Sequence, residues 1–270
     1  MNRTVIDQAE GLRRMFAADA AHMVAMLGDD QDDIAAALAV ALCGQGKKVL
    51  LLDEALRAGD NHTLLSSFVR HDISSVLRSE KSLQEIAIPT AGITLLPAGI
   101  TRAVQNADAA RVRLLAAFHA LIGMFDVVLI HAAPSALNRP SFGFALAAPE
   151  VIVLCKGTSE GITAAYAQIK TTAGTPGDRH FRLLFQGTEE AMAKILFRNL
   201  AAVCRQHLKL MPDFAGVLPE QRFAAADTLE ALAAGMTAWP LPERDDSRFE
   251  AFMRRLLSVT GSRRPTTTEH

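Results

Sequence analysis

Several short stretches of the 270-residue sequence carry residue types that can do chemistry. "GDDQDD" (28–33) places Gly28 and the carboxylates Asp29, Asp30, Asp32 and Asp33 directly after an apolar run. In a parallel α/β protein that is where phosphate binds. A phosphate site needs glycines whose N–H groups approach the anion, a lysine and a hydroxyl. The acidic run suits a helix N-terminus but repels a nucleotide triphosphate. Two further apolar runs, "KKVLLLD" (47–53) and "DVVLIHAAP" (126–134), contain Asp53 and His131, which could exchange a proton or, with a third ligand, hold a metal. No third ligand accompanies them in the sequence. Asp60 and His62 read as members of a solvated loop, and Ser135 lacks the G-x-S-x-G elbow of a nucleophile. "GQGKK" (44–48) has no Ser or Thr and lies between a helix and a strand, the reverse of phosphate-loop order.

The elements that position these residues emerge from periodicity. "AHMVAML" (21–27), "KKVLLLD", "GITLLPAG" (92–99), "DVVLIHAAP", "EVIVLCKG" (150–157), "HFRLLFQG" (180–187) and "FAGVLPE" (214–220) read as strands, most of them continuous apolar runs. Between them, 34–46, "TLLSSFVR" (63–70), "ISSVLRS" (73–79), 106–125, 161–174, 189–208 and 226–235 read as helices. The alternation predicts one doubly wound α/β domain with a mostly parallel sheet and helices on both faces. Its bounds are 19–243, preceded by a helix within 1–18 and succeeded by an amphipathic helix at 244–259 and a disordered tail at 260–270.

Half the residues are apolar and the formal net charge is −1, so no global field favours nucleic acid. Cys43, Cys155 and Cys204 form no CxxC pair, which argues against a disulfide framework or structural zinc and fits a reducing cytoplasm. Neither a signal peptide nor an apolar run of about 18 residues is present.

"DQAEGLRRMF" (7–16) is similar to the DQAxxLR helix that the FlhG or FleN flagellar-number regulators, of the MinD/ParA class of P-loop ATPases, carry ahead of their ATPase domain. "ALAVALCGQGKKVLLLD" (37–53) resembles the family's helix and strand after the P-loop, and "FDVVLIHAAPS" (125–135) its switch II strand. "HFRLLFQGTEEA" (180–191) resembles the family's late strand near the nucleotide base, and "FAGVLPEQ" (214–221) the stretch after that strand. The resemblance spans roughly residues 7 to 258 and implies a MinD-like fold, which sets the strands ending at Asp53 and His131 side by side, so that a structural hydrogen-bonded pair is expected.

It also exposes a degenerate nucleotide site at Gly28, Asp29, Asp30, Asp32, Asp53, Ala55, His131 and Gln186. The family's Gly-rich loop and both lysines are replaced by acid, the second carboxylate of its DxD is Ala55, its switch II aspartate is His131, and the asparagine near the base is Gln186. Phosphoryl transfer depends on positioning and charge neutralisation by these parts. The expectation is a pseudo-ATPase that needs no cofactor, binds ATP and magnesium weakly or not at all, lacks the ATP-driven dimer switch and is mainly monomeric.

The N-terminal motif is intact. Asp7 and Glu10 can form a capping box, with Ala9, Leu12 and Phe16 on one face. Gly11 costs the helix about 1 kcal/mol relative to alanine, as suits a segment that becomes helical on a partner. The resemblance implies docking on FlhF, a GTPase of the signal-recognition-particle type. Gln8 would be supplied in trans to orient the attacking water, anchored by Leu12, Arg13 and Arg14. Alternatives are an ATPase with an unconventional site and an inhibitor of a flagellar transcription activator. At the other end, "SRFEAFMRRLLSV" (247–259) puts Phe249, Phe252, Met253, Leu256 and Leu257 on one stripe beside arginines. Docking on the sheet is the expectation for it, with peripheral contact at the inner membrane or cell pole the alternative.

Overall fold

The continuous apolar runs form buried strands, and the segments between them fold back as helices. The computed structural model describes residues 21–28, 32–99, 114, 117–118, 121–132, 144–174, 179–219 and 225–238. In chain order the elements are β1 (His22–Leu27), α1 (Asp32–Gly44), β2 (Val49–Asp53), β3 (Asn61–His62), β4 (Ser67–Phe68), α2 (Ile73–Leu77), α3 (Leu83–Ile86), β5 (Ile88–Thr90) and β6 (Ile93–Pro97). Then come β7 (Val127–His131), α4 (Phe144–Ala147), β8 (Glu150–Lys156), α5 (Ser159–Ala173), β9 (His180–Gln186), α6 (Glu190–Leu208), β10 (Asp213–Leu218) and α7 (Ala225–Ala238).

Eight strands form one sheet in the order β10-β9-β8-β1-β7-β2-β6-β5. All neighbours are parallel except β5 and β6, an antiparallel edge pair. The expected doubly wound sheet is therefore present. Because side chains alternate across a strand, Met23, Ala25 and Leu27 of β1 enter one core, shared with α5 and α6, while Val24 and Met26 enter a second, under α1 and α7. Burial on both faces is why these strands read as unbroken apolar runs. Leu114, Phe118, Leu121 and Ile122, within the helix expected at 106–125, are helical and buried.

One expected helix is a turn instead. Residues 63–66 join β3 to β4 (Ser67–Phe68), and the two strands pair antiparallel, Asn61 with Phe68 and His62 with Ser67. The spacing of Leu64, Leu65, Phe68 and Val69 mimics a helix, yet Leu64 and Phe68 are exposed. Local side-chain bonds replace the helical ones: Ser67 Oγ donates to Leu65 O at 3.0 Å, and His62 Nδ1 accepts the Leu65 N–H at 3.4 Å. Ser66 takes a left-handed φ of 48° at the turn. Besides the short strands β3 and β4, three small elements escaped the sequence pattern: α3 and α4, a single turn each, and β5, three residues containing Pro89.

The helix expected at 7–16, the C-terminal segment 244–259 and the tail 260–270 lie outside the described residues, as do Asp29, Asp30 and Ser135.

Candidate functional site

In a doubly wound sheet, ligands meet the carboxyl ends of the strands where the winding reverses. Here the first strand lies between β7 and β8, with β2 one strand further out. Gly28, Asp53, His131 and Gln186 end or succeed β1, β2, β7 and β9, so the fold places all four along one edge.

At that edge the chemistry is concentrated where β2 meets β7. Parallel register puts Asp53 directly beside His131, and His131 Nδ1 stands 3.0 Å from Asp53 Oδ1. The two side chains stand at ion-pair distance, and both residues are buried. The same Oδ1 accepts the N–H groups of Ala55, at 2.8 Å, and Leu56, at 3.1 Å, so Asp53 folds the start of its own loop. Ala55, where the resemblance expects a carboxylate, contributes only that amide. Backbone bonds lock the junction: Glu54 N donates to His131 O at 3.0 Å, Ala98 N to Asp53 O at 2.7 Å and Gly99 N to Leu56 O at 2.9 Å.

Two more titratable groups join this pair: His62, expected in a solvated loop, and Glu54, to which the sequence assigns no role. His62 is buried rather than solvated, because the β3–β4 turn folds back over the strand ends; its Nε2 lies 3.9 Å from Asp53 Oδ2. Asp60 keeps an ordinary turn role, accepting the Arg57 N–H through Oδ2 at 2.8 Å. Glu54, buried, turns one carboxylate oxygen toward α4, where Oε1 accepts the Ala145 N–H at 3.4 Å. Burial pushes its carboxyl up to about 7, against the lowering effect of the Ala145 and Phe144 amides. An acid directly after the strand run "VLLLD" was the one available signal for Glu54.

The other sequence-predicted positions stand apart from this junction. Gly28 has a φ of +144°, and a Cβ there would come within 2.7 Å of Leu154 Cβ, so the turn after β1 presses against β8 and admits only glycine. Asp32 opens α1. Gln186 ends β9; its Oε1 is buried and makes no hydrogen bond among the described residues.

A magnesium nucleotide requires carboxylate oxygens free to face the ion at these strand ends. Asp53 Oδ1 is already shared by two amides and an imidazole, and Oδ2 faces His62. The Asp53 carboxylate, as placed, does not fit that role. Among them, no three His, Cys, Asp or Glu side chains are placed to hold a metal ion.

The antiactivator FleN of Pseudomonas aeruginosa is 25% identical to this chain over 259 residues, covering 87% of this chain and 92% of FleN. The chain is a homologue of FleN. Its fold is that of the MinD/ParA P-loop ATPases. Cobyrinic acid a,c-diamide synthase from Mycobacterium smegmatis superposes with a TM-score of 0.61 at 22% identity, covering 83% of this chain and 97% of that one. MinD of Aquifex aeolicus gives 0.55 at 17% identity, covering 82% and 99%. MinD of Pyrococcus horikoshii, complexed with Mg-ADP, gives 0.51 at 19% identity, covering 89% and 98%. No family model matches the chain.

Proposed function

We propose that this chain is a non-catalytic regulator of flagellar number or placement that binds and stimulates an FlhF-type GTPase through residues 7–16. The observation that carries the reading is the β2–β7 junction. At the place where a MinD-like ATPase handles the terminal phosphate, this chain's own amides and histidines occupy Asp53. With phosphoryl-transfer parts replaced there and after β1, the functional signature that remains is "DQAEGLRRMF". The similarity to FleN supports a regulator acting by protein contact.

In this reading Ala9, Leu12 and Phe16 seat the helix on the partner, Arg13 and Arg14 anchor it, and Gln8 orients the water that attacks GTP. The test is GTP turnover by FlhF with and without the full chain, in the absence of ATP. Stimulation together with direct binding is expected; neither binding nor stimulation would overturn the proposal.

FleN's description as an antiactivator favours a second reading, inhibition of a flagellar transcription activator. That role would use the domain surface, so a chain lacking residues 1–18 would keep it while losing all effect on FlhF. A third reading, nucleotide binding without the usual loop, draws on neighbours such as the cobyrinic acid a,c-diamide synthase with bound ADP and magnesium. Among the described residues no helix is long and apolar enough to cross a membrane. In the regulator reading, peripheral contact at the membrane or cell pole falls to the 244–259 segment, whose Phe249, Phe252, Met253, Leu256 and Leu257 supply the apolar stripe.

A further inference from the structure

Glu54 bridges two packed parts of the fold that have no sequence proximity. It sits one residue past the end of β2, and its buried carboxyl meets the first turn of α4 through the amides of Ala145, at 3.4 Å, and Phe144. Its second oxygen, Oε2, is buried and makes no hydrogen bond among the described residues. Packing and one cation hold the rest of α4. Phe144 is fully buried with its ring centroid 5.1 Å from that of Phe118, and the Arg179 guanidinium donates to Leu146 O. Among the described residues, the titratable groups facing Glu54 are Asp53 on β2 and His131 on β7, with His62 behind Asp53. The strand β1, which also packs on α4, carries only His22, at its opposite end.

We propose that Glu54 is a proton-dependent latch that holds α4 against the ends of β2 and β7, closed when its carboxyl is protonated and loosened when it ionises. A neutral carboxyl tolerates burial, and its carbonyl oxygen still accepts an amide. An ionised one leaves a desolvated charge with one oxygen unsatisfied, next to the Asp53 carboxylate. Burial accordingly raises the carboxyl from its ordinary 4.5 to about 7. If opening of α4 admits water, the open form titrates near the ordinary value.

Between those two pH values the closed form keeps a proton that the open form has lost, so closure weakens as pH rises. The closed-to-open ratio falls about tenfold per pH unit in that window, about 300-fold in all, and is flat on either side. The latch is independent of any effect on a GTPase.

Amide hydrogen exchange of the full chain from pH 4.5 to 8, expressed as protection factors to remove intrinsic base catalysis, tests this. Protection at Phe144 and Ala145 is expected to fall by up to about 300-fold and then level off, while staying below that of Leu129 in β7 throughout. Glu54→Gln, which mimics the protonated group, should keep the high protection at every pH. Protection that does not change with pH in the wild type, an equal fall in Glu54→Gln, or Ala145 tracking Leu129 at every pH would each overturn the latch.

Discussion

Asp53→Ala lowers the free energy of unfolding by about 3 kcal/mol or more, read from urea denaturation at neutral pH. The substitution strands two donors at once, the Ala55 and Leu56 amides, both within 3.1 Å of Oδ1, and removes the carboxylate that His131 Nδ1 faces at 3.0 Å. Buried donors left without an acceptor cost about 1–3 kcal/mol each. Partial relaxation of the loop keeps the total below the sum. Asp53→Asn retains an acceptor at Oδ1 and should cost about 1 kcal/mol. A catalytic carboxylate is held poised at some expense to stability, and replacing one is often harmless or helpful to the fold. A neutral or stabilising Asp53→Ala would therefore contradict a structural role for the junction.

Gln8→Ala returns GTP turnover by the FlhF-type partner to near its unstimulated rate, a loss of at least about tenfold, while binding persists. In the proposed docking the Gln8 side chain orients water, whereas Ala9, Leu12 and Phe16 supply the apolar contact. Leu12→Asp, which puts a charge into that contact, should abolish binding and stimulation together. The split between the two variants separates a glutamine that acts on the reaction from one that merely faces solvent. Equal stimulation by wild type and Gln8→Ala would remove Gln8 from the mechanism and leave the helix as a tether.

The sheet was legible because parallel strands buried on both faces leave continuous runs such as "KKVLLLD" and "DVVLIHAAP", and the long segments between them keep helical spacing. The turn at 63–70 reads as a helix for a physical reason. Leu64 with Phe68 and Leu65 with Val69 stand at helical spacing, but the Ser67 hydroxyl and the His62 ring bind the backbone locally. The pairing of Asp53 with His131 could be anticipated because each ends a strand and the fold sets those strands side by side. The burial of His62 and the reach of Glu54 to Ala145 could not. The first depends on a hairpin folding back over the strand ends, and the second spans 91 residues of sequence.

The central claim is that this chain acts by contact and not through an ATP cycle of its own. Phosphate release from magnesium ATP by the purified full-length protein, compared with Asp53→Asn, tests it most directly. The account predicts no release above background and no difference between the two proteins. Multiple turnovers that disappear in Asp53→Asn would contradict it.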